Sequence, residues 1–350
     1  MEEFKRPRRI AHHMAGSSRW RMHDVATRAF APVAVAIAEG RIPGAVLGVL
    51  GPGRHIVHAG RASITPSEQA MRADTVFDLA SLTKPVFTTT AILQFVGQGR
   101  IGLDDTLASV IPDLRQYDVE NAAERRLTFR QCLAHQTHLP AVEPLYTYGL
   151  NPATLRAHIL QRSWNAGPAV YSDINFLLLG IAIERLAGDR LDAIDPGFGL
   201  SFWPDPKACA ATEFCQWRGR MIRGEVHDEN AFAMQGAGHA GLFGTASAVL
   251  DFAEALLNGQ LLSAEGEAAI RSRHGATRSL GWEMAHPGWS GGARCSADTI
   301  GHTGFTGTGL WIDWERRLAW TLLTNRVHPS RHAASGIVAL RRAVGELVCG

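Results

Sequence analysis

Ser81 and Lys84 stand three apart in the run Ser81-Leu82-Thr83-Lys84, a spacing that puts two side chains on one face of a helical turn. A serine hydroxyl becomes a useful nucleophile only when a base takes its proton. A buried lysine can be that base, because desolvation lowers its pKa and favours the neutral amine. The pair therefore predicts amide or ester cleavage through an acyl-enzyme on Ser81. Of the 35 Lys and Arg residues only three are lysine: Lys5, Lys84 and Lys207. Arginine stays protonated in proteins, so a lysine at position 84 keeps a deprotonatable amine there. Taken alone, the spacing is common, and its bland reading is a helix start with a solvated lysine.

Two further groups belong to the same chemistry. In Tyr171-Ser172-Asp173, a tyrosine beside a cationic lysine can shuttle protons. Asp173 can hold the ammonium or a substrate N–H. The bland reading makes Tyr171 a core residue and Asp173 a helix N-cap. In Gly301-His302-Thr303-Gly304-Phe305, glycines at 301 and 304 would let a substrate backbone approach a strand. The Phe305 N–H would form one half of an oxyanion hole and the Ser81 N–H the other. His302 adds a polar or cationic group near an anionic substrate. Its bland reading is an exposed histidine on a glycine-rich turn.

The order Ser-x-x-Lys, Tyr-x-Asp, His-Thr-Gly resembles the serine β-lactamase and penicillin-binding protein superfamily, and most closely its class C β-lactamase-like branch. The stretches Phe77 to Lys84, Leu127 to Thr137 and Gly301 to Asn325 extend the likeness over about residues 25–345. The resemblance implies Ser81 as the acylated nucleophile and Lys84 with Tyr171 as general base and acid. It makes the third motif, His302, Thr303, Gly304 and Phe305, the binder of the substrate's acid group and the lining of the oxyanion hole, with Asp173 beside it. It requires no metal and no cofactor. Two departures stand out. Asp173 occupies the place of an amide, and His302 that of a lysine. Both point away from a true β-lactamase.

The stretches Trp217 to Arg220, Gly224 to Asn230 and Gly238 to Phe243 look like a subgroup containing cytoplasmic amidases that cut N-acetylmuramic acid from L-alanine. His227, Asp228 and His239 also admit a metal-set reading, but a hydrogen-bonded loop shaping the pocket rim is favoured. The resulting expectation is an amidase on a muropeptide-like small molecule. The alternatives are a carboxylesterase or acyltransferase, a β-lactamase or D,D-peptidase, and a non-catalytic ligand sensor.

Positioning these motifs takes both ends of the chain. His23 to Ala38 reads as an amphipathic helix, and residues 1–20 as a flexible basic N-terminus. Ala45 to Leu50 and Arg54 to Ala59, split by Gly51-Pro52-Gly53, read as a hairpin. Pro85 to Gly97 reads as one helix, with others opening at Thr128, Asn151 and Asp173. Residues 188–236 read as irregular. Thr245 to Leu257 is a capped helix, Gly281 to Ala285 a strand, Leu310 to Trp314 with Leu318 to Thr324 a hairpin, and Gly336 to Val348 a closing helix. The fold class is α+β, an antiparallel sheet flanked by helices plus a helical lobe, as in the serine β-lactamase and transpeptidase-like fold. Residues 21–80 and 237–350 make the sheet domain and 81–236 the helical domain, with the site in the cleft between.

Composition agrees with a globular enzyme of 350 residues, 46% hydrophobic and 19% charged. A net charge of +2 gives no basic field for nucleic acid. Five scattered cysteines read as reduced thiols and not as a disulfide framework. No apolar segment reaches the ~18 residues that span a bilayer, and the basic start lacks the apolar core of a signal peptide. The expected location is cytoplasmic.

Overall fold

The computed structural model describes the backbone of residues 11–350 and the side chains from Met22 onward; the expectation for residues 1–10 lies outside the described residues. Helix α1 spans Ala11–Ala38, so it begins well before His23. Strands β1 (Gly44–Leu50) and β2 (Arg54–Ser63) form the expected hairpin, followed by β3 (Gln69–Ala70) and β4 (Phe77–Asp78). Helices α2 (Thr90–Gly97), α3 (Phe129–Leu133), α4 (Pro152–Gln161) and α5 (Asp173–Ala187) come next. Strands β5 (Ala211–Cys215) and β6 (Arg220–Arg223) and helix α6 (Glu229–Met234) occupy the stretch read as irregular. The chain continues through β7 (Phe243–Gly244), α7 (Ala246–Leu257), α8 (Ala264–Arg271), β8 (Glu283–Met284), β9 (Ile300–Thr303), β10 (Gly309–Asp313), β11 (Leu318–Thr324) and α9 (Ile337–Val348).

The large sheet has the order β3-β2-β1-β11-β10-β9-β8. Its centre joins the two chain ends, β1 running antiparallel to β11 with Ala45 opposite Thr324 and Leu50 opposite Ala319. Strand side chains alternate between faces. Ala45, Leu47 and Val49 pack with Phe30 and Val33 of α1 and Leu340 and Val344 of α9. Val46 and Leu50 face the other way, into a core shared with Val249, Leu250 and Phe252 of α7 and with the buried helix α5. Burial on both faces explains why β1 reads as a continuous apolar run. The fold is the mixed helix and antiparallel sheet architecture expected.

Local caps place the helices. Thr128 and Gln131 form a reciprocal capping box at α3. Asn151 caps α4, Thr245 caps α7, and Ser172 caps α5 through its contact with the Asn175 N–H. The cap at α5 is therefore Ser172, which leaves Asp173 free for other work. The expected single helix from Pro85 is divided: Lys84–Thr89 winds in wide π-type turns before α2 begins at Thr90. Such wide turns recur at functional sites. Among the described residues no helix is long and apolar enough to cross a membrane. All five cysteines are free thiols.

Candidate active site

Ser81 sits at a kink built by its predecessors. Asp78, fully desolvated, spends one carboxylate oxygen on the Ala80 N–H at 2.8 Å and the other on the His227 N–H at 2.6 Å. Burial pushes the Asp78 carboxyl up, against these donors and His227. Ala80 is left in the left-handed region at φ 49°, a strained setting for a residue with a Cβ. The kink is braced from the β9–β10 turn: Thr306 Oγ1 donates to the Asp78 carbonyl at 2.8 Å and Thr308 Oγ1 to the Leu79 carbonyl at 3.0 Å.

The turn leaving Ser81 carries Lys84 beneath it. Lys84 is fully buried, and its Nζ donates to Ser81 Oγ at 3.0 Å and to the His239 carbonyl at 3.2 Å. Asp173 Oδ1 is 2.8 Å from the same nitrogen, and the Tyr171 ring centroid 4.9 Å away. These contacts revise the expected state of the lysine. Burial pulls its pKa down, but Asp173 and then Tyr171 overcome it, and Lys84 is pushed up to about 12. Lys84 is held as an ammonium, not as the neutral amine that burial alone would give.

Tyr171 brings the other groups together. Its ring lies 4.5 Å from His135 and 5.9 Å from His302, centroid to centroid, with the Arg278 guanidinium 4.8 Å from its centroid. His135 Nδ1 accepts the Ser172 N–H at 3.0 Å. His302, on β9, is only 4% exposed, against the exposed turn position of its bland reading. Its Nδ1 lies 3.0 Å from the Thr303 carbonyl and so carries the proton. Burial first, then Arg278, Lys84 and His135, push the His302 pKa well below its usual value. His302 is therefore a neutral imidazole. Of the polar or cationic group expected there it supplies the polar one; of the three arginines in the cleft, Arg278, Arg326 and Arg341, none is ion-paired among the described residues, and Arg278 alone makes no side-chain hydrogen bond.

Ser81, Tyr171, Arg278, His302, Thr303 and Phe305 line one cleft of about 510 Å³, with Gly304, Arg326 and Arg341. Arg341, buried on α9, donates to the Gly304 and Thr308 carbonyls at 2.7 Å each and fixes the turn between β9 and β10. Arg326 Nε holds the Phe305 carbonyl at 2.8 Å. Phe305, half exposed at the rim, stacks on His227 at 5.6 Å.

The glycines of the third motif are explained by internal packing. A Cβ on Gly301 would overlap the Trp311 ring, and one on Gly304 would strike Thr308 Oγ1 and lie 2.5 Å from the Leu79 carbonyl. Both make room for protein atoms, where the sequence suggested room for substrate. His227 bonds Glu213 at 2.7 Å and His239 bonds Asp228 at 2.9 Å, so the two histidines face separate carboxylates. Among the described residues no group of His, Cys, Asp and Glu is placed to hold a metal ion. A second cavity of about 570 Å³, lined by Phe202, Trp203, Met221 and Phe232, has no serine, cysteine or lysine in its lining.

Sequence reasoning found Ser81, Lys84, Tyr171, Asp173 and the 302–305 turn, and the fold brings all of them together. It missed Arg278, Asp78 and His135. Asp78 and His135 lay inside stretches already singled out, Phe77 to Lys84 and Leu127 to Thr137. Arg278 carried no local signal.

Comparison with known proteins bears on the family and the fold. The Beta-lactamase family model matches residues 8–344. A Bacillus subtilis (strain 168) protein named N-acetylmuramyl-L-alanine amidase is 30% identical over 354 aligned residues, which cover 83% of this chain and 79% of that protein. An Escherichia coli (strain K12) relative, provisionally named D-alanyl-D-alanine carboxypeptidase, is 30% identical over 312 residues, 75% of this chain and 72% of its own. Among solved structures, EstCE1, described as a hydrolase with promiscuous acyltransferase activity, superposes with a TM-score of 0.72 over 94% of this chain and 99% of its own, at 21% identity. That likeness speaks for the fold alone. With its Ser81–Lys84 pair set in this fold, the chain belongs to the β-lactamase family and is one of its serine hydrolases.

Proposed function

We propose that this protein cleaves an amide through an acyl-enzyme on Ser81, and that the amide joins a muramic-acid lactyl group to L-alanine. The observation that carries the reading is the buried Lys84 amine, 3.0 Å from Ser81 Oγ behind an open cleft. Similarity to the B. subtilis amidase over most of both chains supports the choice of amide.

In this reading Ser81 attacks the lactyl carbonyl, while Lys84 and Tyr171 handle the proton that leaves Ser81 and reaches the departing amine. The Ser81 and Phe305 N–H groups take the developing oxyanion. Thr303, Gly304 and His302 line the acyl side as neutral groups, and Asp173 stays close to Lys84. The acid group of the alanine goes to Arg278, whose guanidinium stands in the cleft with only an aromatic face for company. Arginine matches a carboxylate in a two-pronged geometry. The five free thiols fit a cytoplasmic setting.

The test combines substrates with mass spectrometry. Muramoyl-L-alanine, a D-alanyl-D-alanine peptide, p-nitrophenyl esters and nitrocefin are offered to the enzyme, and Ser81 is checked for an acyl or fluorophosphonate adduct. The expected result is muramoyl-L-alanine turnover, an adduct on Ser81, and loss of both in Ser81→Ala. Lys84→Arg should be as inactive as Lys84→Ala, because arginine does not give up its proton. Failure of every acylating probe to modify Ser81 overturns the acyl-enzyme. Ester turnover without muramoyl cleavage removes the amidase assignment and leaves an esterase.

A further inference from the structure

The environment of Lys84 raises a problem that the acyl-enzyme reading must answer. An ammonium has three N–H bonds and no lone pair. Lys84 Nζ lies 2.8 Å from Asp173 Oδ1, 3.0 Å from Ser81 Oγ and 3.2 Å from the His239 carbonyl, and the Tyr171 side chain bonds it as well. The nitrogen is thus fully engaged as a cation and cannot take the Ser81 proton until it has given one away. Of these oxygens, the peptide carbonyl and the Tyr171 phenol O–H are poor proton acceptors, and Ser81 is the proton's source. The carboxylate remains.

Asp173 is free for that task. The α5 cap is made by Ser172, whose Oγ accepts the Asn175 N–H and donates to the Pro140 carbonyl at 2.6 Å. The Asp173 backbone N–H is bound to the Ala141 carbonyl at 2.8 Å, and apart from the ion pair its Oδ1 has no hydrogen-bond partner. The residue begins a helix whose side chains from Ile174 to Ile183 are buried, so the carboxylate is held at a fixed distance. An amide at this position could hold the lysine but could not accept its proton.

The geometry points to Asp173 as the proton store of the Ser81–Lys84 pair: it takes a proton from the Lys84 ammonium as Ser81 attacks, and returns it through Lys84 to the leaving group. The proposal rests on the acyl-enzyme reading. Its steps conserve protons and electrons. The Nζ–H bond to Asp173 breaks and an Oδ1–H bond forms, leaving a lone pair on Nζ. That pair takes the Ser81 hydroxyl proton. The Oγ electron pair forms the bond to the carbonyl carbon, and the carbonyl π pair moves onto oxygen. On collapse the carbon–nitrogen bond breaks, Lys84 protonates the departing nitrogen, and Asp173 gives its proton back to Lys84. Deacylation repeats the sequence with water in place of Ser81.

The groups that set the charge around Lys84 come from several elements. Asp173 and Tyr171 lie at and before the start of α5, Asp228 caps α6, His135 follows α3, and His302 on β9 has Arg278 beyond it. Among them Asp173 pulls Lys84 up most strongly. Replacing it leaves burial dominant, so the Lys84 pKa falls and its neutral form becomes accessible at alkaline pH.

The experiment measures pre-steady-state acylation by a p-nitrophenyl ester across about pH 6 to 10 for wild type, Asp173→Asn and Asp173→Glu, with melting curves to confirm folding. Asp173→Asn should slow acylation on the order of 10²-fold or more at neutral pH with KM within about threefold, and its remaining rate should climb with pH. Asp173→Glu, which keeps a carboxylate, should recover at least about tenfold of the loss. Wild-type rates in Asp173→Asn overturn the proposal. So does a loss confined to KM, or equal losses in both variants with an unmoved pH profile. Absence of a Ser81 adduct in the wild type would instead sink the acyl-enzyme itself.

Discussion

Two cations lie within 5 Å of the Tyr171 ring centroid: Lys84 at 4.9 Å and Arg278 at 4.8 Å. They differ in their partners. Lys84 is neutralised by Asp173 and buried, while Arg278 faces the cleft with no carboxylate of its own. The nearest acid lining that cleft, Glu283, is bonded to His286 at 2.8 Å. In the proposed function the substrate carboxylate is the partner of Arg278. Arg278→Met should raise KM for muramoyl-L-alanine about 10- to 100-fold, the worth of a hydrogen bond to a charged group, and leave turnover of a neutral ester nearly unchanged. Steady-state kinetics on the two substrates check this. Equal losses on both would deny Arg278 a role in reading charge. Ser81, Lys84, Tyr171 and His302 were legible because each belongs to a short run of fixed spacing. The charge on His302 was not, since it depends on burial and on an arginine from another part of the chain.

At the scale of elements, β9 and β10 are positioned by Trp311. Its ring lies where side chains on Gly301 and Gly309 would be, and it packs on Trp320 at 5.7 Å. Gly301→Ala should therefore destabilise the protein by about 1–3 kcal/mol, the typical cost of overpacking, with KM little changed. A denaturant midpoint and a kinetic assay separate the outcomes: unchanged stability with a raised KM would restore the substrate-approach role. The element boundaries most visible in sequence were the capped helices and the hairpins, because caps and turns depend on neighbours in the chain. The β5–β6 hairpin and α6 were missed. Their residues are stabilised by partners far away in the chain: the Phe214 N–H of β5 bonds the Pro329 carbonyl at 3.0 Å, and Asn230 Oδ1 of α6 accepts the Tyr146 N–H at 3.1 Å.

At the scale of the molecule, Arg331, after β11, bonds Glu213 of β5 and Glu229 of α6 at 2.6 Å each, tying the end of the sheet to the block that carries the 213–229 segment. Burial pushes the Glu213 carboxyl up, but His227, the Arg331 N–H and the Arg331 guanidinium outweigh it and hold the carboxyl near about 2. A carboxylate held below its unfolded value of 4.5 adds stability that is fully present above that value. The contribution fades as pH falls toward about 2. Glu213→Gln should cost about 1–3 kcal/mol at neutral pH and flatten the loss of stability in that acidic window. Chemical denaturation at stepped pH measures both, and a variant with the wild-type acid profile would show that Glu213 is not the group responsible.

The sequence alone determined the reaction class and the architecture. Local spacing set the Ser81–Lys84 pair, and short apolar runs split by turns at both ends called for a shared antiparallel sheet. Tertiary structure decided the electrostatics. Whether Lys84 is a cation, whether His302 is neutral, and which arginine of the cleft is left without a hydrogen bond all depend on desolvation and on groups a few ångströms away. Those groups come from segments far apart in the chain, so only the folded arrangement gives the distances and burial on which their energies depend.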